Sequence, residues 1–245
     1  MTMLASMIRK TAALAATLFL PIAAHAGDAA EVNILGFSAD GSLFAFEEYG
    51  VQDGSGFPYA NRFYIDTATD TFVSGTPVRV RIEDETASLA DARAQAKTQG
   101  QAVIADAVLG ENRGYTAGWN AITELSADFS RMAVNPRPVF APIDAPVEFR
   151  LEDVPLLAPS GCEGFGAIMG YRLTRIGTTD GDTTQLVHED SAIPGSRGCP
   201  LGYGIGGLQI FYPPSGDPVF ALMIAMRQIG FEGPDHRWLA VAGRL

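Results

Sequence analysis

The chain opens with a segment that decides which residues fold and in what chemical surroundings. Arg9 and Lys10 form a short basic region, and Thr11 to Ala23 (TAALAATLFLPIA) is an almost unbroken apolar run. Ala24-His25-Ala26 then places small residues at the two positions a signal peptidase reads. This pattern predicts a secretory signal peptide over residues 1–26, cut between Ala26 and Gly27. The apolar run is too short for a stable membrane anchor. Gly27 stands where a lipoprotein would carry Cys, so no lipid anchor is expected. The expected product is a single β-rich exported domain over residues 27–245, periplasmic or secreted.

Removing residues 1–26 takes away Arg9 and Lys10 and no acidic residue. Of the 245 residues 219 remain, and the formal net charge moves from −11 to −13. A chain of that length buries roughly 70% of its unfolded surface, enough for one large core. Its acidic balance opposes nucleic acid and anionic membranes as partners. The longest remaining apolar run, Val219 to Met226, reads as a buried strand, so no membrane insertion is expected after cleavage.

Cys162 and Cys199 both fall in the exported part. Where thiols oxidise, a disulfide between them is the natural reading. Each has glycine neighbours, in Ser160-Gly161-Cys162-Glu163-Gly164 and Gly198-Cys199-Pro200, as expected of loops pinned together. The alternative, one reactive thiol, has no histidine nearby in sequence, and a Cys-x-x-Cys redox pair is excluded.

Strand-like runs flank the turn signals Asp40-Gly41 and Thr178-Thr179-Asp180-Gly181-Asp182, predicting two hairpins. Val78 to Ile82 (VRVRI) alternates, with Arg79 and Arg81 on one face. At Ser88 the period changes. Ser88-Leu89-Ala90-Asp91 fits a capping box, and Leu89, Ala92, Ala96, Val103 and Ala107 lie near helical spacing. This predicts one principal α-helix near residues 88–109, weakened or kinked at Gly100 and capped by Gly110. Residues 111–146, with Pro136, Pro138, Pro142 and Pro146, read as an irregular connector. Strands are expected again at 147–151, 167–176, 184–187, 208–212, 219–226 and 238–241. The expected class is α+β, mainly antiparallel sheet arranged as a sandwich or partly open barrel.

The two ends share a layout. Phe44-Ala45, Gly56-Phe57 and Arg62-Phe63 are echoed by Phe220-Ala221, Gly230-Phe231 and Arg237-Trp238. Either any two hairpins look this way, or two equivalent hairpins pack together, each with an arginine stacked on an aromatic ring. Asp53, Glu232 and Asp235 are the candidate carboxylates for such arginines.

The block GFSADGSLFAFEEYGVQDGSGFPYANRFYID (36–66) and the closing GFEGPDHRWLAVAG (230–243) resemble the DUF2259 family of bacterial secreted proteins. The resemblance implies an exported protein of unknown activity and supplies no catalytic residues. Phe37-Ser38-x-Asp40-Gly41-x-x-x-Ala45-Phe46 is also similar to the blade signature of TolB-type β-propellers. That signature repeats about every 40 residues in a propeller, and here it occurs once.

Gly202-x-Gly204-x-x-Gly207 matches the letters of a dinucleotide fingerprint, but a strand-like LQIFY follows where a helix is needed. It is read instead as a glycine-rich turn beside the disulfide, and no cofactor is expected. No Gly-x-Ser-x-Gly or Ser-x-x-Lys nucleophile motif occurs. His188 and His236 read first as ordinary surface histidines, and either can be assembled into a triad in space. His236 with Asp235, Arg237 and Glu48 is the candidate catalytic set. Asp180 and Asp182, near Glu189 and Asp190, are weak candidates for Ca²⁺, although the spacing is not that of an EF-hand. Glu47 and Glu48 are strand neighbours and point to opposite faces, so they cannot act as one acid/base pair; one is expected inward beside Arg62 or Arg237.

Three functions follow as expectations. The leading one is a non-enzymatic periplasmic binding or interaction module, its partner an envelope protein or a small ligand. The second is a periplasmic hydrolase with its site near His236. The third is a calcium-stabilised structural protein.

Overall fold

A computed structural model describes residues 27–245; the expected signal peptide lies outside the described residues. Among the described residues thirteen strands form three antiparallel sheets. The front sheet holds β1 (Glu31–Phe37), β2 (Leu43–Val51), β3 (Pro58–Asp66), β4 (Thr71–Phe72) and β5 (Val78–Arg81), in the order β1-β2-β3-β4 with β5 also paired to β3. Helices α1 (Leu89–Gly100) and α2 (Asp106–Glu111) follow, then β6 (Tyr115–Trp119) and β7 (Arg131–Val134). Next come β8 (Val147–Leu156), β9 (Ile168–Ile176), β10 (Gln185–Glu189) and a single 3-10 turn at Gly195–Arg197. The long strands β11 (Pro200–Phe211), β12 (Val219–Ile229) and β13 (Pro234–Arg244) end the chain. The middle sheet runs β13-β12-β11-β6 and the back sheet β10-β9-β8-β7.

The layering can be read from β12. All eight residues from Val219 to Met226 are buried, as a strand covered on both faces requires. Val219, Ala221, Met223 and Ala225 pack toward Phe44, Phe46, Phe63 and Ile65 of the front sheet. Phe220, Leu222, Ile224 and Met226 pack toward Phe149, Leu151, Tyr171 and Leu173 of the back sheet. The middle sheet is therefore the centre of a three-sheet stack. Small residues on its front-facing side leave room for the opposing rings, with Phe46 and Phe63 stacked 4.5 Å apart.

The outer face of the front sheet is covered by α1 through Ala92 and Ala96. Ser88 caps that helix as its sequence predicts: its Oγ accepts from the Asp91 N–H, and the Asp91 carboxylate accepts from the Ser88 N–H. Such a cap is worth about 1 kcal/mol. The expected continuous helix over 88–109 is instead two. The first stops at Gly100, where a Cβ would come within 2.0 Å of the Tyr64 hydroxyl. Residues 101–105 reset the phase, so α2 buries Leu109 and leaves Ala107 exposed. Gly110 lies inside α2, and Asn112 is the cap.

Two further expectations are corrected. The connector over 111–146 contains β6 and β7, each extending a sheet by one short strand. The Gly202–Gly207 segment is not a turn but the interior of β11. Its glycines make room for indoles: a Cβ on Gly206 would lie 2.3 Å from the Trp238 ring, and one on Gly207 2.2 Å from the Trp119 ring. The two indoles stack 5.4 Å apart over that strand. The TolB-like motif spans the β1–β2 hairpin within this stack.

A cleft along the free edge of the middle sheet

Strand β13 is the outer edge of the middle sheet. Beyond it the front and back sheets face each other across a cleft of about 880 Å³. The register of the front sheet lays out its floor in rows. Glu48, Asn61 and Arg79 are successive cross-strand neighbours, as are Tyr59 and Arg81, beside an apolar band of Phe46, Phe63, Ile65 and Phe72. The back wall carries Tyr171 and His188 from β9 and β10, with Arg197 from the 3-10 turn.

An exposed sheet edge presents unpaired backbone groups. Here several are met by polar groups of the chain itself. The His236 N–H donates to the Asp28 carbonyl (2.8 Å), and the Ala30 N–H donates to the His236 carbonyl (3.0 Å). The Trp238 N–H donates to Glu48 Oε2 (2.9 Å), and the Ala242 N–H donates to Asp70 Oδ1 (2.8 Å).

These carboxylates are held in a medium that disfavours their charge. Burial raises Glu48, against the hydrogen bonds from Trp238 and Asn61 and the charges of Arg237 and Arg79. Burial likewise pushes Asp70 up to about 6, against the Ala242 N–H and His188. Asp28 is raised by burial and held by Arg237, whose Nη2 lies 2.8 Å from Asp28 Oδ2 and 2.9 Å from Asp235 Oδ2. On the back wall Arg197 and His188 reach Asp190 at 2.5 and 2.9 Å. Burial opposes the charge of Asp190, but these contacts and the Tyr171 N–H keep it below the usual carboxylate range.

Asp70 therefore sets a pH dependence. Its folded pKa lies above its unfolded value, so the native state binds the proton more tightly. The penalty from this one group is absent below about pH 4, grows as pH rises toward 6, and is constant above; near neutrality it is about 3 kcal/mol. Asp70→Asn keeps an oxygen for the Ala242 N–H and tolerates the left-handed backbone at this position (φ 52°). Urea titrations should show the variant about 2 kcal/mol more stable than the parent at pH 7.5 and no more stable at pH 4. Equal stability at pH 7.5 would remove Asp70 as the source.

The residues singled out in the sequence divide. Glu48, Asp235 and Arg237 line the cleft, but His236 is not among its lining residues. The imidazole packs edge-on against Trp238, and its buried Nδ1 has no hydrogen-bond partner among the described residues. Burial and the charges of Arg237 and Arg227 lower it to about 4. Asp235 pairs with Arg237 and accepts from the Asp28 N–H, not from His236. Glu47, on the opposite face from Glu48, accepts from Arg93 (2.8 Å) and lies 3.8 Å from Arg62 beneath α1. Asp180 and Asp182 sit at the exposed tip of the β9–β10 hairpin, and Asp182 accepts from Thr179. Glu189 pairs with Arg172, away from that tip, and no metal-competent cluster occurs among the described residues. Asp53 accepts from the Phe231 and Glu232 N–H groups and joins the two hairpin loops. Asp28 and Asp70 were not indicated in advance. Each meets its partner across more than 170 residues of chain, and no local pattern marks that.

Cys162 and Cys199 form a disulfide. Among the described residues no helix is long and apolar enough to cross a membrane. No curated protein and no solved structure matches the chain. Residues 45–244 match the family described as predicted secreted protein, DUF2259. With that match running from within β2 to the end of β13 and reaching all three sheets, the chain belongs to the DUF2259 family of predicted secreted proteins.

Proposed function

We propose that this is a non-enzymatic binding module of the cell envelope, released by cleavage between Ala26 and Gly27 into the periplasm, which takes its ligand into the cleft along β13. One observation carries the reading: the cleft is walled by three sheets and lined by polar groups whose positions are fixed by the fold. Its volume lies within the roughly 300–1,000 Å³ usual for ligand sites. Glu48 and Asp235 are buried, and their partners Trp238 N–H, Asn61 and Arg237 hold them in place before any ligand arrives. Groups held this way lose little freedom on binding, which favours recognition.

Ser196 is exposed at the cleft mouth, so Ser196→Trp puts an indole into the opening without disturbing the core. Residues 27–245 and this variant are each immobilised, equilibrated with envelope extract, and their retained small molecules and peptides read by mass spectrometry. At least one species should be retained by the parent and depleted about tenfold by Ser196→Trp. Identical retained sets would overturn the proposal.

A further inference from the structure

The shape of the cleft says more than its volume. Stacked sheets lie about 10 Å apart, so the front and back sheets, separated by the middle one, stand roughly 20 Å apart. Past β13 the cleft lies between those two sheets with no middle layer among the described residues. The slot thus has the thickness of one strand and its side chains, and its inner border is a strand edge. In an antiparallel strand, residues alternate between pairing inward and presenting N–H and C=O outward. His236, Trp238 and Ala242 use their N–H groups outward, so Ala240, between them, presents its N–H and C=O to the slot. Asp28 to Ala30 already add to this edge through one parallel bridge at His236. The Glu48 cap at Trp238 and the Asp70 cap at Ala242 bracket a stretch of about four residues.

The floor supplies a charge. Of the cleft arginines, Arg81 pairs with Glu83, Arg197 with Asp190, and Arg237 with Asp28 and Asp235. Arg79 has no ion pair among the described residues; its guanidinium lies over the Phe63 ring, 5.4 Å from the centroid. In register it is two strands out from Glu48, which touches β13, and its guanidinium leans back over Phe63 of β3, the strand one step out from that edge.

We infer that the cleft receives an extended peptide bearing an acidic side chain, which adds as a further strand to the β13 edge and places its carboxylate on Arg79. The inference rests on the cleft being the binding site. Backbone pairing at Ala240 supplies affinity, and Arg79 supplies selectivity. Alternate side chains of the peptide face Asn61, Phe63 and Phe72 on one side and Tyr171 and His188 on the other.

Four capped pentapeptides test it: alternating threonine and valine about a central glutamate, glutamine or lysine, and the glutamate peptide with N-methylated backbone amides. Each is titrated calorimetrically into residues 27–245 with the disulfide intact. The glutamate peptide should bind tightest and the glutamine peptide about tenfold more weakly. The lysine peptide should be weaker again, and the N-methylated peptide should not bind. Arg79→Gln, at an exposed position, should make the glutamate and glutamine peptides equal. Amide exchange at Ala240 should slow when the glutamate peptide is present. The inference fails if glutamate and glutamine peptides bind alike to the parent, if N-methylation is without effect, or if no peptide binds. Should Ser196→Trp still exclude an extract ligand in that last case, the binding cleft stands and the peptide does not.

Discussion

Arg237→Leu should destabilise the protein by about 3–5 kcal/mol at pH 7.5, and by clearly less at pH 5. The arginine is largely buried, with 14% of its side chain exposed, and bridges Asp28 and Asp235. It also donates to the Asp28 and His236 carbonyls at 3.0 and 2.9 Å, and its guanidinium lies 5.1 Å from the Tyr59 centroid. Leucine fills part of the volume and leaves two buried carboxylates without a cation. Asp28, and Glu48 close by, are already raised by burial with Arg237 opposing that rise. Without it their folded pKa values climb further. A carboxylate whose folded pKa exceeds its unfolded value destabilises as pH rises through that window, and protonation relieves the strain. The loss should therefore shrink on acidification. Arg79→Leu is the comparison: an exposed arginine in the same cleft, whose removal should change stability by no more than about 0.5 kcal/mol. Urea midpoints for both variants at the two pH values decide the matter. A small or pH-independent loss for Arg237→Leu would mean that the ion cluster does not hold the edge.

That cluster also shows what a linear reading can reach. The β1–β2 and β9–β10 hairpins, the Ser88 capping box and the buried character of Val219–Met226 were legible, because each depends on residues close in sequence. The resemblance of the end hairpins was legible too, and they do pack face to face through Phe46, Phe63, Met223 and Trp238. Their arginines, however, do different work. Arg62 turns toward the helices to meet Asp106, whereas Arg237 turns toward the N-terminal segment to meet Asp28. Strands β6 and β7 were hidden, since five and four residues carry too few alternations to stand out among prolines. The glycines of β11 misled for a physical reason. A glycine in a strand signals close approach as readily as a turn, and the approaching indoles come from distant parts of the chain. The cleft itself exists because the middle sheet stops at β13, a property of strand order that no segment encodes alone.

Removing the disulfide, by Cys162→Ala together with Cys199→Ala, should cost about 4 kcal/mol and lower the melting temperature by about 10 °C. The two cysteines are 37 residues apart in sequence and bridge the loop after β8 to the residue before β11. The enclosed segment is β9, the hairpin tip, β10 and the 3-10 turn, which together carry Tyr171, His188 and Arg197 of the cleft's back wall. Freeing it restores chain entropy mainly to that segment of the unfolded state. In the folded state it loosens a weakly anchored element, because β10 contains no fully buried residue. Amide exchange should therefore accelerate across residues 168–197 while β2, β3 and β12 keep their protection. Reduction of the native protein with dithiothreitol should reproduce both effects, which separates loss of the bond from loss of the side chains. A change below about 1 kcal/mol, or acceleration spread evenly over all three sheets, would show that the bridge does not brace this wall.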